Sequence, residues 1–180
     1  MNVEQARFNM IEQQIRTWEV LDPDVLGLLF EVKRELFVPA GQRDLAFADL
    51  EIPLGHAEAM WQPKIEARVL QELAVQPGET VYEVGTGSGY LAALLARRSR
   101  HVTSAEIHPD LKSRAAASLA AAGIGNVTLL EGDSAAAPLA EARYDVIVIT
   151  GSMPQRLNVP LADQLRYLRF RATTPSVSSG

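Results

Sequence analysis

The run Glu83-Val84-Gly85-Thr86-Gly87-Ser88-Gly89-Tyr90 lies between a β-rich segment, Thr80 to Val84, and an apolar segment with helical spacing, Tyr90 to Ala96. Glycines at such a junction let the backbone turn sharply and let a ligand approach without meeting a Cβ. The helix that follows opens with unpaired N–H donors. A nucleotide-like ligand fits this context. The dinucleotide pattern wants glycine in the sixth place of the motif, where Tyr90 stands, and Gly89 comes one residue early. NAD is therefore the second choice. Glycines would also serve an ordinary tight strand-to-helix turn, so the weight falls on what surrounds them.

Downstream, strand-like runs at Val102 to Ile107, Val127 to Leu130 and Tyr144 to Thr150 accompany a helical run from Leu111 to Ala122. Parallel strands need long crossovers, which helices supply. The alternation therefore predicts an α/β fold with a doubly wound, mostly parallel, Rossmann-like sheet. Glu106 falls at the end of the second strand, about 20 residues past the loop, where an acid can accept both hydroxyls of a ribose. Asp133, in Glu131-Gly132-Asp133-Ser134, would share the crevice outside the carboxyl ends of the strands and could accept a hydrogen bond from an adenine amino group.

Upstream, Phe8, Ile11 and Ile15 recur at helical spacing between Glu4 and Ile15, and Asp22-Pro23 reads as an N-cap before Val25, Leu28, Leu29 and Val32. From Pro39 to Pro63 the periodicity lapses into loop with one short strand. A third helix follows from Lys64 to Leu73, closed by the turn Pro77-Gly78-Glu79. Three parts result: an N-terminal helical and loop extension (1–76), the sheet domain (77–166) and a poorly ordered tail (167–180). Phe8, Trp18, Phe30 and Phe37 read as core or interface packing, and Arg97-Arg98-Ser99-Arg100 as a solvated helix end.

Composition excludes several classes. With 47% hydrophobic and 22% charged residues the chain is neither disordered nor fibrous, and a net charge of −5 lacks the basic footprint of a nucleic-acid binder. Zero cysteines exclude disulfides, thiolate metal sites and a Cys nucleophile. His101 and His108 have no partner at metal-ligand spacing, so no metal is expected. No run of about 18 apolar residues occurs and the N-terminus has no apolar leader core. A cytoplasmic protein without membrane contact is expected.

Glycine loop, Glu106 and Asp133 together resemble the S-adenosylmethionine-dependent methyltransferases, and the loop itself is similar to that of the protein-L-isoaspartate O-methyltransferases. Met10-Ile11-Glu12-Gln13-Gln14-Ile15-Arg16, Phe37-Val38-Pro39, Ala46-Phe47-Ala48-Asp49, Ile52-Pro53-Leu54-Gly55 and Gln62-Pro63 occur in the family's order and spacing, over about residues 4 to 165. The resemblance implies S-adenosyl-L-methionine as cofactor, S-adenosyl-L-homocysteine as product, and methyl transfer to the carboxylate of isoaspartyl residues in damaged proteins. It places Glu83, Gly85, Thr86, Gly87, Ser88, Gly89, Glu106 and Asp133 at the cofactor; the catalytic candidates on the substrate side are His56 and Trp61, whose N–H groups could hold an acceptor carboxylate, and Gln62.

Two departures stand out. Where the family has Gly-Gln-Thr-Ile-Ser-Gln-Pro, this chain has Ala57-Glu58-Ala59-Met60-Trp61-Gln62-Pro63, so Ala59 and Trp61 replace hydroxyls expected at the acceptor carboxylate. That substitution opens an alternative: a cofactor-binding family member without isoaspartyl activity, acting on another acceptor or as an interaction module. The second departure is the C-terminus, where the family's further strands are missing and the sheet reads as truncated after its fourth strand. Asp145 to Ile149 would then form an apolar edge. Either self-association into a homodimer through that edge, or an added strand from 166–171, would cover it; Val159 to Arg166 reads as a helix.

Overall fold

The computed structural model of the chain describes residues 2–133 and 144–151 and the backbone of 166–169. Helix α1 (Val3–Asn9) is capped by Asn2, whose side chain accepts from the Gln5 N–H. Between Met10 and Ile15 it widens into a π turn, with the Arg16 N–H bonded to the Ile11 carbonyl. That turn brings Met10, Ile11 and Ile15 into the core and leaves Phe8 49% exposed. Phe8 was expected beside Ile11 and Ile15; a regular 3.6-residue repeat aligns them, and the π turn shifts the phase. Helix α2 (Pro23–Glu31) starts as the sequence predicts, the Asp22 carboxylate accepting from the Asp24 and Val25 N–H groups with Pro23 in the first turn.

The irregular stretch holds two strands instead of one. β1 (Ile52–Gly55) pairs antiparallel with β2 (Glu58–Met60), and the two residues between them, His56 and Ala57, have φ of 56° and 60°. Two consecutive left-handed residues match the twist of a tight hairpin. β2 escaped sequence reading because Glu58-Ala59-Met60 is three residues long with no β-branched side chain. Helix α3 (Pro63–Leu73) follows directly.

The remaining elements are β3 (Thr80–Val84), α4 (Tyr90–Arg98), β4 (His101–Glu106), α5 (Pro109–Ala121), β5 (Val127–Glu131), β6 (Val146–Ile149) and β7 (Arg166–Arg169). All five strands are parallel, in the order β5-β4-β3-β6-β7. The expected end of the sheet at its fourth strand is therefore corrected. β7 pairs with β6 from Val146↔Arg166 to Ile149↔Arg169, the added-strand alternative, so β6, buried at every position, is not the edge. An apolar strand with free backbone donors and acceptors gains from any further ladder. Arg166, expected to end a helix, opens this strand and crosses the boundary drawn at 167; the rest of that helix and of the tail lie outside the described residues.

The chain steps outward from β3 to β4 and β5, then returns to β6 on the other side of β3. The strand order thus reverses between β3 and β6, and in an open parallel sheet ligands bind at the carboxyl ends of the strands at such a point. One hydrophobic cluster runs from Met10 to Val148 and joins the N-terminal helices to one face of the sheet, so extension and sheet share a core. The opposite face carries Tyr82, Val84, Ala105, Ile147 and Ile149, a smaller cluster of strand residues.

Candidate cofactor and acceptor crevice

At the reversal point the loop after β3 and the end of β6 touch. Gly85 has φ of 95°, and a Cβ there would stand 2.7 Å from the Gly151 nitrogen and 2.8 Å from Thr150 Oγ1. Thr150 Oγ1 is also hydrogen-bonding distance from the Val84 and Gly85 carbonyls, 2.8 and 2.7 Å. Gly87 has φ of 54°, with Leu54 Cδ1 3.3 Å from the place of a Cβ. The loop is braced internally: Gly85 N–H donates to the Ala105 carbonyl, Gly87 N–H to Glu106 Oε2 and Gly89 N–H to the Thr86 carbonyl. These amides hold the bend in shape instead of pointing at a ligand. Such an arrangement suits a cationic or neutral guest better than an anion, which would need the donors.

Glu106 is nearly buried at the end of β4. Its Oε2 accepts the Gly87 N–H at 2.8 Å and its Oε1 the His108 N–H at 3.0 Å. A carboxylate offers about four acceptor sites, so both oxygens keep capacity for a sugar's hydroxyls. Glu83 is 0% exposed. Its Oε2 accepts from Ser104 Oγ at 2.5 Å, and Ser104 in turn bonds Thr86 Oγ1 at 2.6 Å. The other oxygen, Oε1, is buried with no hydrogen-bond partner and Glu83 lines the crevice. Burial pushes the Glu83 carboxyl up to about 8; the Ser104 hydrogen bond opposes this and the nearby Glu106 adds to it. A buried acceptor without a donor is costly, and a cationic donor entering the crevice would relieve it. The orphaned oxygen and the bare loop fit the group that the resemblance implies.

The crevice, about 190 Å³ in volume, is lined by Glu83, Gly85, Thr86, Gly87, Ser88 and Glu106 with Gly132 and Asp133 beyond β5. Gly89 does not line it; a Cβ on Gly89 would stand 3.1 Å from Ala115 Cβ, so that glycine admits α5 instead. The opposite wall comes from the hairpin and the start of α3: Leu54, Glu58, Ala59, Met60, Trp61 and Glu66. Of the three substrate-side residues, Trp61 lines the crevice. His56 Nε2 sits 2.8 Å from Asp110 Oδ1 with its ring stacked 4.0 Å from that of His108. Gln62 stands at the N-cap of α3 without a side-chain capping bond. Among the described residues no group of three or more His, Cys, Asp and Glu could hold a metal ion.

Arg34 and Glu66 escaped the sequence reading. Arg34 is 1% exposed and its guanidinium binds four elements: Nε donates to the Ala46 carbonyl at 2.9 Å, Nη2 to the Trp61 carbonyl at 2.7 Å, Nη1 to Glu66, and the group lies 5.0 Å from the Tyr90 ring centre. Burial pulls Arg34 down to about 10, which leaves it charged at neutral pH. The pair fastens the Trp61 backbone and the 46–47 loop to α3 and α4. A signal existed: Glu66 stands on the stripe that α3 buries, three residues after Pro63 and four before Leu70, and a carboxylate there needs a partner.

The family model of protein-L-isoaspartate(D-aspartate) O-methyltransferase (PCMT) matches residues 5–167. The chain belongs to this family. It is 43% identical over 159 residues to protein-L-isoaspartate O-methyltransferase 1 of Rhodopseudomonas palustris (strain HaA2), covering 87% of this chain and 65% of that protein. To the protein-L-isoaspartate O-methyltransferase of Methanoculleus marisnigri it is 39% identical, covering 88% and 72%. The chain thus spans about two thirds of the length of these curated relatives. Its fold is similar to that of a Plasmodium falciparum chain assigned as a beta-aspartate methyltransferase (PCMT) in complex with S-adenosyl-L-homocysteine, with TM-score 0.70, 19% identity, and coverage of 87% of this chain and 76% of that one. The crevice of this PCMT family member therefore lies in a methyltransferase fold, between the parallel sheet and the N-terminal extension.

Proposed function

We propose that the chain binds S-adenosyl-L-methionine in this crevice and directs its methyl group to the carboxylate of an isoaspartyl residue in a damaged protein, releasing S-adenosyl-L-homocysteine. The observation that carries the cofactor half is Glu83 Oε1, a buried acceptor without a donor, beside a loop in which Gly85 and Gly87 present no Cβ to the crevice. Glu83 would receive the ammonium, Glu106 the ribose hydroxyls and Asp133 the adenine amino group, with Gly85 to Ser88 passing under the cofactor between them. The sulfonium supplies an already activated methyl group, so the protein's part is positioning and exclusion of water. Glu106 is pre-set by two main-chain donors, and Trp61, held through its carbonyl by Arg34, closes the acceptor side. Family membership supports the isoaspartyl acceptor.

A second reading rests on that acceptor wall. Among the described residues the crevice carries Glu58, Glu66, Glu83, Glu106 and Asp133 and no Lys, Arg or His, and the hydroxyls of the family pattern are replaced by Ala59 and Trp61. An acceptor other than a carboxylate suits this wall, as does a cofactor-binding role without isoaspartyl activity. The test uses the protein, labelled S-adenosylmethionine and paired peptides with isoaspartate or ordinary aspartate. Base-labile methyl ester on the isoaspartyl peptide alone establishes the first reading; cofactor binding with no ester on either peptide overturns it and leaves the second. Cytoplasmic location and a polypeptide partner complete the proposal, with neither nucleic acid nor membrane as partner. No helix among the described residues is long and apolar enough to cross a membrane.

A further inference from the structure

Behind the hairpin a second hollow of about 230 Å³ lies between the segment Leu36 to Arg43 and one face of α5. Leu111, Arg114, Ala117 and Ser118, three and four residues apart, make that face. The hollow and the cofactor crevice share Leu54, Gly87, Ser88 and Leu111, so the two spaces meet at the glycine loop. Their charges are opposite. Among the described residues, carboxylates line the crevice without a single cation, whereas Arg43 and Arg114 line the hollow without a single carboxylate.

The two arginines differ. Arg114 Nη2 donates to Asp110 Oδ2 and to the Leu54 carbonyl, both at 2.9 Å, so part of its charge is answered and it also ties β1 to α5. Arg43 is exposed on the short 3₁₀ stretch Ala40–Leu45 and has no ion-pair partner among the described residues. Val38, Pro39 and Ala117 add apolar wall around these cations. On a protein of net charge −5, long-range attraction does not recruit an anion; a local cation does.

We infer that this hollow holds an acidic side chain of the acceptor polypeptide, a Glu or Asp flanking the residue whose carboxylate enters the crevice. The inference deepens the proposed methyl transfer and rests on it for the identity of the acceptor. Apolar walls take the stem of the flanking residue, Arg43 takes its charge, and Ser88 marks the passage between the two spaces. An acceptor read this way is selected by its neighbours as well as by its isoaspartate.

The experiment uses the full chain with adenosylhomocysteine present and fluorescein-labelled isoaspartyl peptides differing only at two flanking positions: Glu-Glu, Gln-Gln or Lys-Lys. Binding is read by anisotropy and methylation by KM. The Glu-Glu peptide should bind about three- to tenfold more tightly than Gln-Gln, and the gap should close in about 1 M salt, where screening reaches about 3 Å. Arg43→Glu, on an exposed side chain, should erase or reverse the order of the three peptides, and Ala117→Glu, which places a carboxylate on the other wall, should do the same. Equal binding of all three peptides, an unaltered order in both variants, or no binding of any peptide overturns the inference. If the peptides bind in the expected order but no methyl ester forms, the methyl-transfer reading fails and the hollow stands as an acidic-peptide site. If ester forms without any dependence on the flanks, the reading stands and the hollow does not.

Discussion

Glu83→Gln is expected to loosen cofactor binding and, in the same molecule, to strengthen the fold above neutral pH. Burial holds the Glu83 carboxyl at about 8 in the folded chain, against a usual value of 4.5. The unfolded chain thus loses this proton on passing pH 4.5, and the folded chain only on passing about 8. Stability from this group is complete below 4.5, declines as pH rises between the two values and is lost above the folded one. A displacement of that size corresponds to at most roughly 5 kcal/mol. Gln removes the titration, so denaturation in urea at pH 8.5 should show the variant more stable than the parent, with the difference vanishing near pH 4. Binding moves the other way. An ammonium pairs with the carboxylate, of which about 1% is ionised at pH 6 and about 9% at pH 7, so affinity should rise about tenfold over that unit. Calorimetry in two buffers of different ionisation enthalpy should show about one proton released per ligand at pH 6.5, and none for Glu83→Gln. A parent affinity that is flat between pH 6 and 7, or a variant that keeps the parent's slope, would refute the reasoning.

Glu106→Ala removes an acceptor shared by two main-chain donors and the expected ribose contact, and should weaken cofactor binding by about 1.5–3 kcal/mol in calorimetry. Gly85→Ala should destabilise the chain by about 2–4 kcal/mol in urea, through a positive φ and a Cβ against Gly151 and Thr150, whereas Gly78→Ala, with nothing near its Cβ position, should stay within about 0.5 kcal/mol of the parent. Arg34→Met leaves the Glu66 carboxylate buried and unpaired, a loss of about 3–5 kcal/mol, and adding Glu66→Leu should restore most of it if that pairing is the cause. Asp22→Ala exposes the first N–H groups of α2 and should lower stability by about 1 kcal/mol at pH 7, measured by thermal melting.

What could be read along the chain followed from short-range rules. Asp22-Pro23 specifies the start of α2 because capping and a fixed φ act within three residues. The alternation from Thr80 to Glu131 specifies parallel strands with helical crossovers, since period and length suffice to tell the two apart. Seven of the eight residues assigned to the cofactor line one crevice, because the carboxyl ends of parallel strands converge where the strand order reverses. The misses have long-range causes. The π turn that turns Phe8 outward responds to the core around Met10 and Ile11, and β2 exists by pairing with β1. β7 is a strand only because β6 offers it a ladder.

The chain by itself thus determined the class of fold, the glycine bend and the acids that follow each strand, all of which depend on residue type and spacing along the backbone. Only the tertiary structure decided which needs are met. It turned the loop amides inward, took His56 to Asp110 instead of the crevice, paired Arg34 with Glu66 across 32 positions, and left one oxygen of Glu83 without a donor. Hydrogen bonds and burial are settled by neighbours in space, and local spacing carries no record of neighbours that the chain brings back from far along its length.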